Sequence, residues 1–275
     1  MICTFVNSNG QSGTNLAKKC MTMLGGELIP VSSAAAVGRV PVDRHAEQQP
    51  DFSPDTHVLT GVNWPGYIHA SALDDLWRPY VKNGGFGASH MFHTRAADGF
   101  LSGLGMKVIV ITREPRDWAY SCARKIAENP LPFGRPLDTT MRQHILDCIL
   151  GFPPNGSVGR LPMVERYERF RLWTENPEVL TIKFEDLIGR KGGGDDDVMR
   201  ETIERIARFT ETTIDSCVRE KIVANLFGGT KTFRRGVIGT WREYEDLLEP
   251  YESLFAEASS IAGYHVAVAN DANRH

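Results

Sequence analysis

Three short segments of this 275-residue sequence combine residue types and spacings suited to holding an anion. The first is Gly10-Gln11-Ser12-Gly13-Thr14-Asn15, where glycines let backbone N–H groups converge and Ser and Thr add hydroxyl donors. The second sets Arg113, Asp117 and Ser121 at four-residue intervals. The third is Arg234-Arg235-Gly236, within a basic, glycine-punctuated stretch over residues 228–241. Clustered guanidinium groups grip phosphate in bidentate fashion. Apart from these stand His90 and His93, whose side-chain type titrates near neutrality and suits proton transfer. Each feature has an ordinary explanation: a βα turn, a surface ion pair, a solvated basic loop, a hydrogen-bonded histidine at a strand end. Their joint occurrence is what those explanations leave over. The nucleoside-triphosphatase form of the first loop requires Gly-x-x-x-x-Gly-Lys-Ser/Thr. Here Gly10 and Gly13 are too close and no Lys follows Gly13, so plain Mg-ATP is not the expected ligand.

The elements that must carry these residues follow from hydrophobic period and turn signals. Residues 2–6 read as a strand and 16–21 as the helix that leaves the loop. Residues 28–31, 58–62, 86–91, 107–112 and 179–184 read as further strands, with 107–112 the clearest buried one, β-branched and almost uninterrupted. Helices are expected over 71–81, 96–104, 138–150, 158–174, 198–210, 214–226 and 242–262, and one is expected to open at Pro115. The many charges of 158–174 predict a solvated face, and Asp195-Asp196-Asp197 predicts a helix N-cap. Residues 41–54, 63–67 and 133–136 read as surface loops. The alternation predicts an α/β fold, a three-layer sandwich whose central parallel sheet is flanked by helices, in one domain over residues 1–275. Ligands of such sheets sit beyond the carboxyl ends of the strands.

A net charge of −3 gives no broad reason to expect nucleic acid or an anionic membrane as partner. Five scattered cysteines without metal or redox spacing point to a reduced compartment. With no leader and no membrane-length apolar run read at the N-terminus, the expected location is cytoplasmic.

The set of segments resembles the cytosolic-type sulfotransferases that use 3′-phosphoadenosine 5′-phosphosulfate (PAPS). That family reads close to Pro-Lys-Ser-Gly-Thr-x-Trp, then Arg-x-x-x-Asp-x-x-x-Ser, then Arg-Lys-Gly-x-x-Gly-Asp-Trp. The same order runs here from Gly10 to Trp241, nearly the whole chain, and the family's Tyr-Glu-Asp strand end has its counterpart in Phe184-Glu185-Asp186. The resemblance implies a P-loop-like nucleotide-binding fold and a transferase with PAPS as donor, 3′-phosphoadenosine 5′-phosphate (PAP) as product and no required metal. It implies that Gly10, Gln11, Ser12, Gly13, Thr14 and Asn15 hold the 5′-phosphosulfate. Arg113, Ser121, Arg234, Arg235 and Gly236 would hold the 3′-phosphate, and Phe184 would pack on adenine. Sulfuryl transfer is an in-line displacement in which the acceptor loses a proton while the bridging oxygen of the donor gains charge. The resemblance places the base at His90, with His93 as the competing assignment, and Gln11 beside the leaving group.

The departures concern charge. The family's Lys before Ser-Gly-Thr is Gln11, and its Lys two residues before the His is Ala88; Lys18, Lys19 and Arg95 are the candidate substitutes. The family's Trp is Leu16, its Tyr is Phe184, and its Asp before the last Trp is Thr240. The expected acceptor is a hydroxyl or amine of a small molecule of natural-product type. A homodimer through residues 233–241 and the terminal helix stays open, as do a non-catalytic nucleotide binder and a P-loop kinase.

Overall fold

The computed structural model describes residues 1–29, 40–41, 51–61, 66–155, 158–229 and 236–264. In chain order the elements are β1 (Thr4–Ser8), α1 (Thr14–Met23), β2 (Glu27–Leu28), β3 (Val40–Pro41), β4 (His57–Thr60), β5 (Gly66–His69), α2 (Ala70–Trp77), β6 (Gly85–Ser89) and α3 (Arg95–Gly103). Then come β7 (Lys107–Thr112), α4 (Pro115–Glu128), α5 (Met141–Leu150), β8 (Phe152–Asn155), β9 (Val158–Arg160), α6 (Met163–Glu175) and β10 (Leu180–Lys183). The chain continues through α7 (Asp196–Phe209), α8 (Ser216–Leu226), α9 (Glu245–Leu248) and α10 (Glu252–Ile261).

Five strands form a parallel sheet in the order β10-β7-β1-β6-β2, the α/β architecture read from the sequence. Alternate side chains point to opposite faces of a strand, so each buried strand feeds two cores. Phe5, Val108 and Val110 pack with Trp77 of α2, Phe100 and Leu101 of α3, and Phe170 and Trp173 of α6. Val6, Ile109, Ile111 and Ile182 pack with Cys20 and Met21 of α1, Ile203 and Ile206 of α7, and Leu226 of α8. A third cluster joins Trp118 and Ile126 of α4 to Ile145 of α5, Tyr167 of α6 and Phe255 of α10.

Strand register brings the loop-bearing ends level. Asn7 lies opposite Ser89 of β6 and Val110 of β7, and Lys183 of β10 lies opposite Thr112. Thus the chain after β1, β6, β7 and β10 leaves the sheet on one side, where the first loop, His90, Arg113 and Phe184 all sit.

Four expectations need correction. Residues 158–160 form β9 of a hairpin with β8, and the helix begins only at Met163, after Pro162. The predicted solvated face of this helix is partly wrong, since Arg166 and Trp173 are completely buried, and Tyr167 and Phe170 are buried beside them. Gly66 and Tyr67 belong to β5 rather than to a loop, pairing antiparallel with β4. The terminal helix is broken into a 3-10 turn, α9, a second turn carrying Pro250, and α10, since proline supplies no N–H to continue the ladder. The predicted cap does form: Asp195 accepts from the N–H groups of Asp197 and Val198 at 2.7 and 3.1 Å.

Candidate active site

The loop between β1 and α1 is built by a turn and two left-handed residues. Ser12 N–H donates to the Asn9 carbonyl at 3.0 Å, Gln11 has φ 70° and Gly13 has φ 106°. The cap position of α1 is Gly13, which has no side chain to cap the helix, and a helix start of this kind suits an anion. Ser12 is fully buried, and its hydroxyl has no partner among the described residues. Gly13 cannot carry a side chain without strain: a Cβ there would stand 2.6 Å from Phe184 Cδ2, and its φ is one that L residues rarely adopt. Gly13→Ala should therefore cost about 2–3 kcal/mol of stability. A urea unfolding midpoint equal to that of the unaltered chain would show that Phe184 yields freely and that this close approach is not structural.

Helix α4 joins two of the segments to each other. Pro115 opens it, and the Glu114 side chain caps it through Asp117 N–H at 2.9 Å. Toward the loop, Trp118 Nε1 donates to the Gly10 carbonyl at 2.7 Å, and Cys122 Sγ lies 3.8 Å from the same oxygen. Asp117 accepts from Gly239 N–H with both carboxylate oxygens, at 3.0 and 2.9 Å. Ser121, half-buried one turn beyond Asp117, shares its side of the helix. Gly236, with φ 60°, precedes the anchored Gly239, and Ile238 N–H donates to the Gly192 carbonyl at 2.9 Å. Arg234 and Arg235 lie outside the described residues.

Arg113, at the end of β7, is buried; its Nη1 donates to the Gln11 carbonyl at 3.3 Å and its Cζ stands 4.3 Å from the centre of the Phe184 ring. Its Nε is enclosed and has no partner among the described residues. Tyr167 donates to the Arg113 carbonyl at 2.8 Å, which fixes the backbone there. Glu185 accepts from Glu114 N–H at 3.0 Å and from the Tyr264 hydroxyl at 2.5 Å. Burial raises the carboxyl groups of Glu114, Asp117 and Glu185 above their ordinary values.

His90 and His93 diverge. His90 Nδ1 lies 2.8 Å from the Ser8 carbonyl, which assigns the Nδ1–H tautomer and leaves the Nε2 lone pair for proton acceptance. Ser8 Oγ is 3.3 Å from the same nitrogen and 2.5 Å from Thr14 Oγ1, so the ring is linked through one hydroxyl to the start of α1. The segment is held from three sides. Asn7 accepts from Met91 N–H at 2.9 Å and donates to the Met91 carbonyl at 2.8 Å, Trp173 Nε1 donates to that carbonyl at 3.0 Å, and Thr60 Oγ1 donates to the His90 carbonyl at 2.9 Å. Burial lowers the His90 imidazole below its ordinary 6.5; the Ser8 carbonyl opposes this, and the charges of Arg166 and Lys18 add to it. His93 instead pairs with Asp98 at 2.9 Å and packs against Trp173.

Of the candidate substitute cations, Lys19 binds the Asn225 and Gly228 carbonyls at 2.5 and 2.8 Å and Arg95 pairs with Asp55. Reasoning from the sequence missed Ser8, Asn7 and Arg166. The run Asn7-Ser8-Asn9 at a strand end was the available signal for the first two; Arg166 had none.

An unpartnered hydroxyl and an unpartnered guanidinium N–H, both enclosed, together with an uncapped helix start, fit an anionic nucleotide donor. Among the described residues no group of three or more His, Cys, Asp or Glu is placed to hold a metal ion, and no helix is long and apolar enough to cross a membrane.

No family model matches the chain, and no curated protein matches its sequence. Solved structures do match. Mouse sulfotransferase SULT7A1 complexed with PAP is 16% identical with a TM-score of 0.61, over 94% of this chain and 84% of that one. Retinol dehydratase in complex with androsterone and PAP is 14% identical with a TM-score of 0.58, over 96% and 82%. Its complex with retinol and PAP gives 14% and 0.56, over 94% and 81%. Identity this low speaks to architecture alone, and on that level the conclusion is plain: the chain has the fold of the PAP-bound sulfotransferases.

Proposed function

We propose that this chain transfers a sulfuryl group from PAPS to a hydroxyl or amine of a small molecule, with His90 as general base. The observation that carries the reading is the gathering of the Gly10–Asn15 loop, His90 and Arg113 at the carboxyl ends of three neighbouring strands, β1, β6 and β7. The donor supplies the sulfuryl group, and its 5′-phosphate is the leaving group. In this reading the loop N–H groups and the Ser12 and Thr14 hydroxyls hold the phosphosulfate, and Gln11 lies beside it. Arg113 and Ser121 hold the 3′-phosphate with Gly236, Arg234 and Arg235, and Phe184 packs near adenine. Asp117 positions the Gly236 segment through Gly239 rather than touching the nucleotide, since a carboxylate there would repel a phosphate. His90 accepts the acceptor proton at Nε2 while its Nδ1–H stays on the Ser8 carbonyl.

The fold of the PAP-bound enzymes and the enclosed donors of Ser12 and Arg113 support this reading. One domain over 1–275, a natural-product acceptor, a cytoplasmic location and a homodimer belong to the same proposal. Gln11 in place of a cation favours one rival, a nucleotide binder without turnover, and donor-dependent sulfation of any acceptor separates the two. The test of the donor class is calorimetric binding of PAP beside ADP and ATP, without magnesium. Preference for PAP by about a hundredfold or more is expected from a phosphate held by charge-assisted bonds. Equal binding of ATP would return the chain to a generic or kinase-like nucleotide binder.

A further inference from the structure

If the chain transfers a sulfuryl group, the developing charge on the leaving group needs a positive field, and neither Gln11 nor Ala88 provides one. Arg166 is placed to do so. It lies in the first turns of α6 and is completely buried. Its Nη1 donates to Asn9 Oδ1 at 3.0 Å, two residues before Gln11, and its Cζ stands 5.7 Å from the centre of the Phe92 ring, two residues after His90. One guanidinium thus touches both the loop that follows β1 and the segment that follows β6. A charge enclosed among side chains is screened little by solvent, so its field extends past its direct contacts.

Arg160 of β9 is buried near Arg166, and the thiols of Cys122 on α4 and Cys148 on α5 lie against them. Burial pushes the Cys122 thiol up, but the Cys148 hydrogen bond and the charges of Arg160 and Arg166 outweigh it and bring it down to about 6. Burial and the neighbouring Arg160 lower Arg166 to about 10, which leaves it protonated at neutral pH. Tyr167, a further ionisable neighbour, stays neutral because burial raises its phenol. The buried carboxylate of Asp147 is already held by Arg135 at 2.6 and 2.5 Å.

We propose that Arg166 is a positioning residue that supplies, from beneath the loop, the positive charge absent at positions 11 and 88, orienting Asn9 and setting the field at the leaving group and at His90. This rests on the sulfuryl-transfer reading. The groups that face His90 are the Ser8 carbonyl and hydroxyl, Arg166 from α6 and Lys18 from α1. Removing the Arg166 charge must therefore raise the His90 pKa.

The experiment follows the His90 ring by NMR across pH, assigned with His90→Gln, in the unaltered chain, Arg166→Met and Asn9→Asp. The second variant neutralises Arg166 in place by setting a near-isosteric carboxylate against Nη1, so it carries the test even where Arg166→Met does not fold. Both should move the His90 titration upward by about half a unit or more. Both should slow sulfuryl transfer, run in reverse from 4-nitrophenyl sulfate to PAP, by about tenfold or more. Arg166→Lys should keep the His90 titration near its original position, and Gln11→Lys added to Arg166→Met should recover part of the lost rate. An unmoved His90 titration and an unchanged rate in both neutralising variants would reduce Arg166 to a packing role. PAP binding by the unaltered chain is measured alongside. Its absence overturns the donor reading and this inference with it, whereas binding with an unmoved His90 overturns the inference alone.

Discussion

Arg113→Ala is expected to weaken PAP binding by about two to three orders of magnitude while changing ADP affinity by no more than about threefold. Charge-assisted hydrogen bonds to a dianion contribute about 1.5–3 kcal/mol each, a guanidinium makes two of them in its fork, and about 1.4 kcal/mol is a factor of ten. ADP lacks the 3′-phosphate and so lacks the group that Arg113 is proposed to hold. The enclosed, unpartnered Nε marks the capacity for a new bond, whereas Nη1 is spent on the Gln11 carbonyl. Truncation also removes the guanidinium from the face of Phe184, so a thermal melt must accompany the calorimetry. Arg113→Lys, which keeps a charge but loses the planar fork, should fall between the two. Equal losses of PAP and ADP would mean that Arg113 shapes the loop through Gln11 and does not read the 3′-phosphate.

What the sequence disclosed and what it hid divide along physical lines. The strand at 107–112 was legible to the residue, because a parallel strand covered on both faces must be apolar throughout. The loop between β1 and α1 was legible from its glycines and the helix that follows. The break in the terminal helix was available in Pro250 and the N-terminal limit of α6 in Pro162, both of which forbid the continuous helices that charge and length suggested. Arg166 was hidden for another reason. Around it on α6, Arg169 pairs with Glu165, and Arg171 pairs with Glu168 and Glu175, as a solvated helix would pair them. Nothing local distinguishes the one arginine that turns inward, because its partner Asn9 is 157 residues away. Asp117 is a like case: its spacing from Arg113 was visible, but its bond to Gly239 N–H exists only once the chain after α8 has folded back onto α4.

His90→Ala should lower turnover by about two to four orders of magnitude, the usual contribution of a general base, and leave PAP affinity within about twofold, since His90 is proposed to act on the acceptor proton alone. The expected pH dependence has a definite sign. A base must be unprotonated to act, and burial together with Arg166 and Lys18 holds His90 below its ordinary 6.5, so the acid limb of kcat/KM should lie below that value. The alanine variant should lose that limb along with the rate. His93→Ala is the matched control: its ring is tied to Asp98, and its loss should affect stability more than turnover. Should His93→Ala abolish turnover and His90→Ala spare it, the base would move three residues along, and the hydrogen bond from His90 to the Ser8 carbonyl would be a strand-end lock. Should both variants turn over normally, proton removal would fall to solvent, and the tautomer set at Nδ1 would have no part in the reaction. The three outcomes differ in rate and in pH profile, so one set of steady-state measurements across pH assigns the proton.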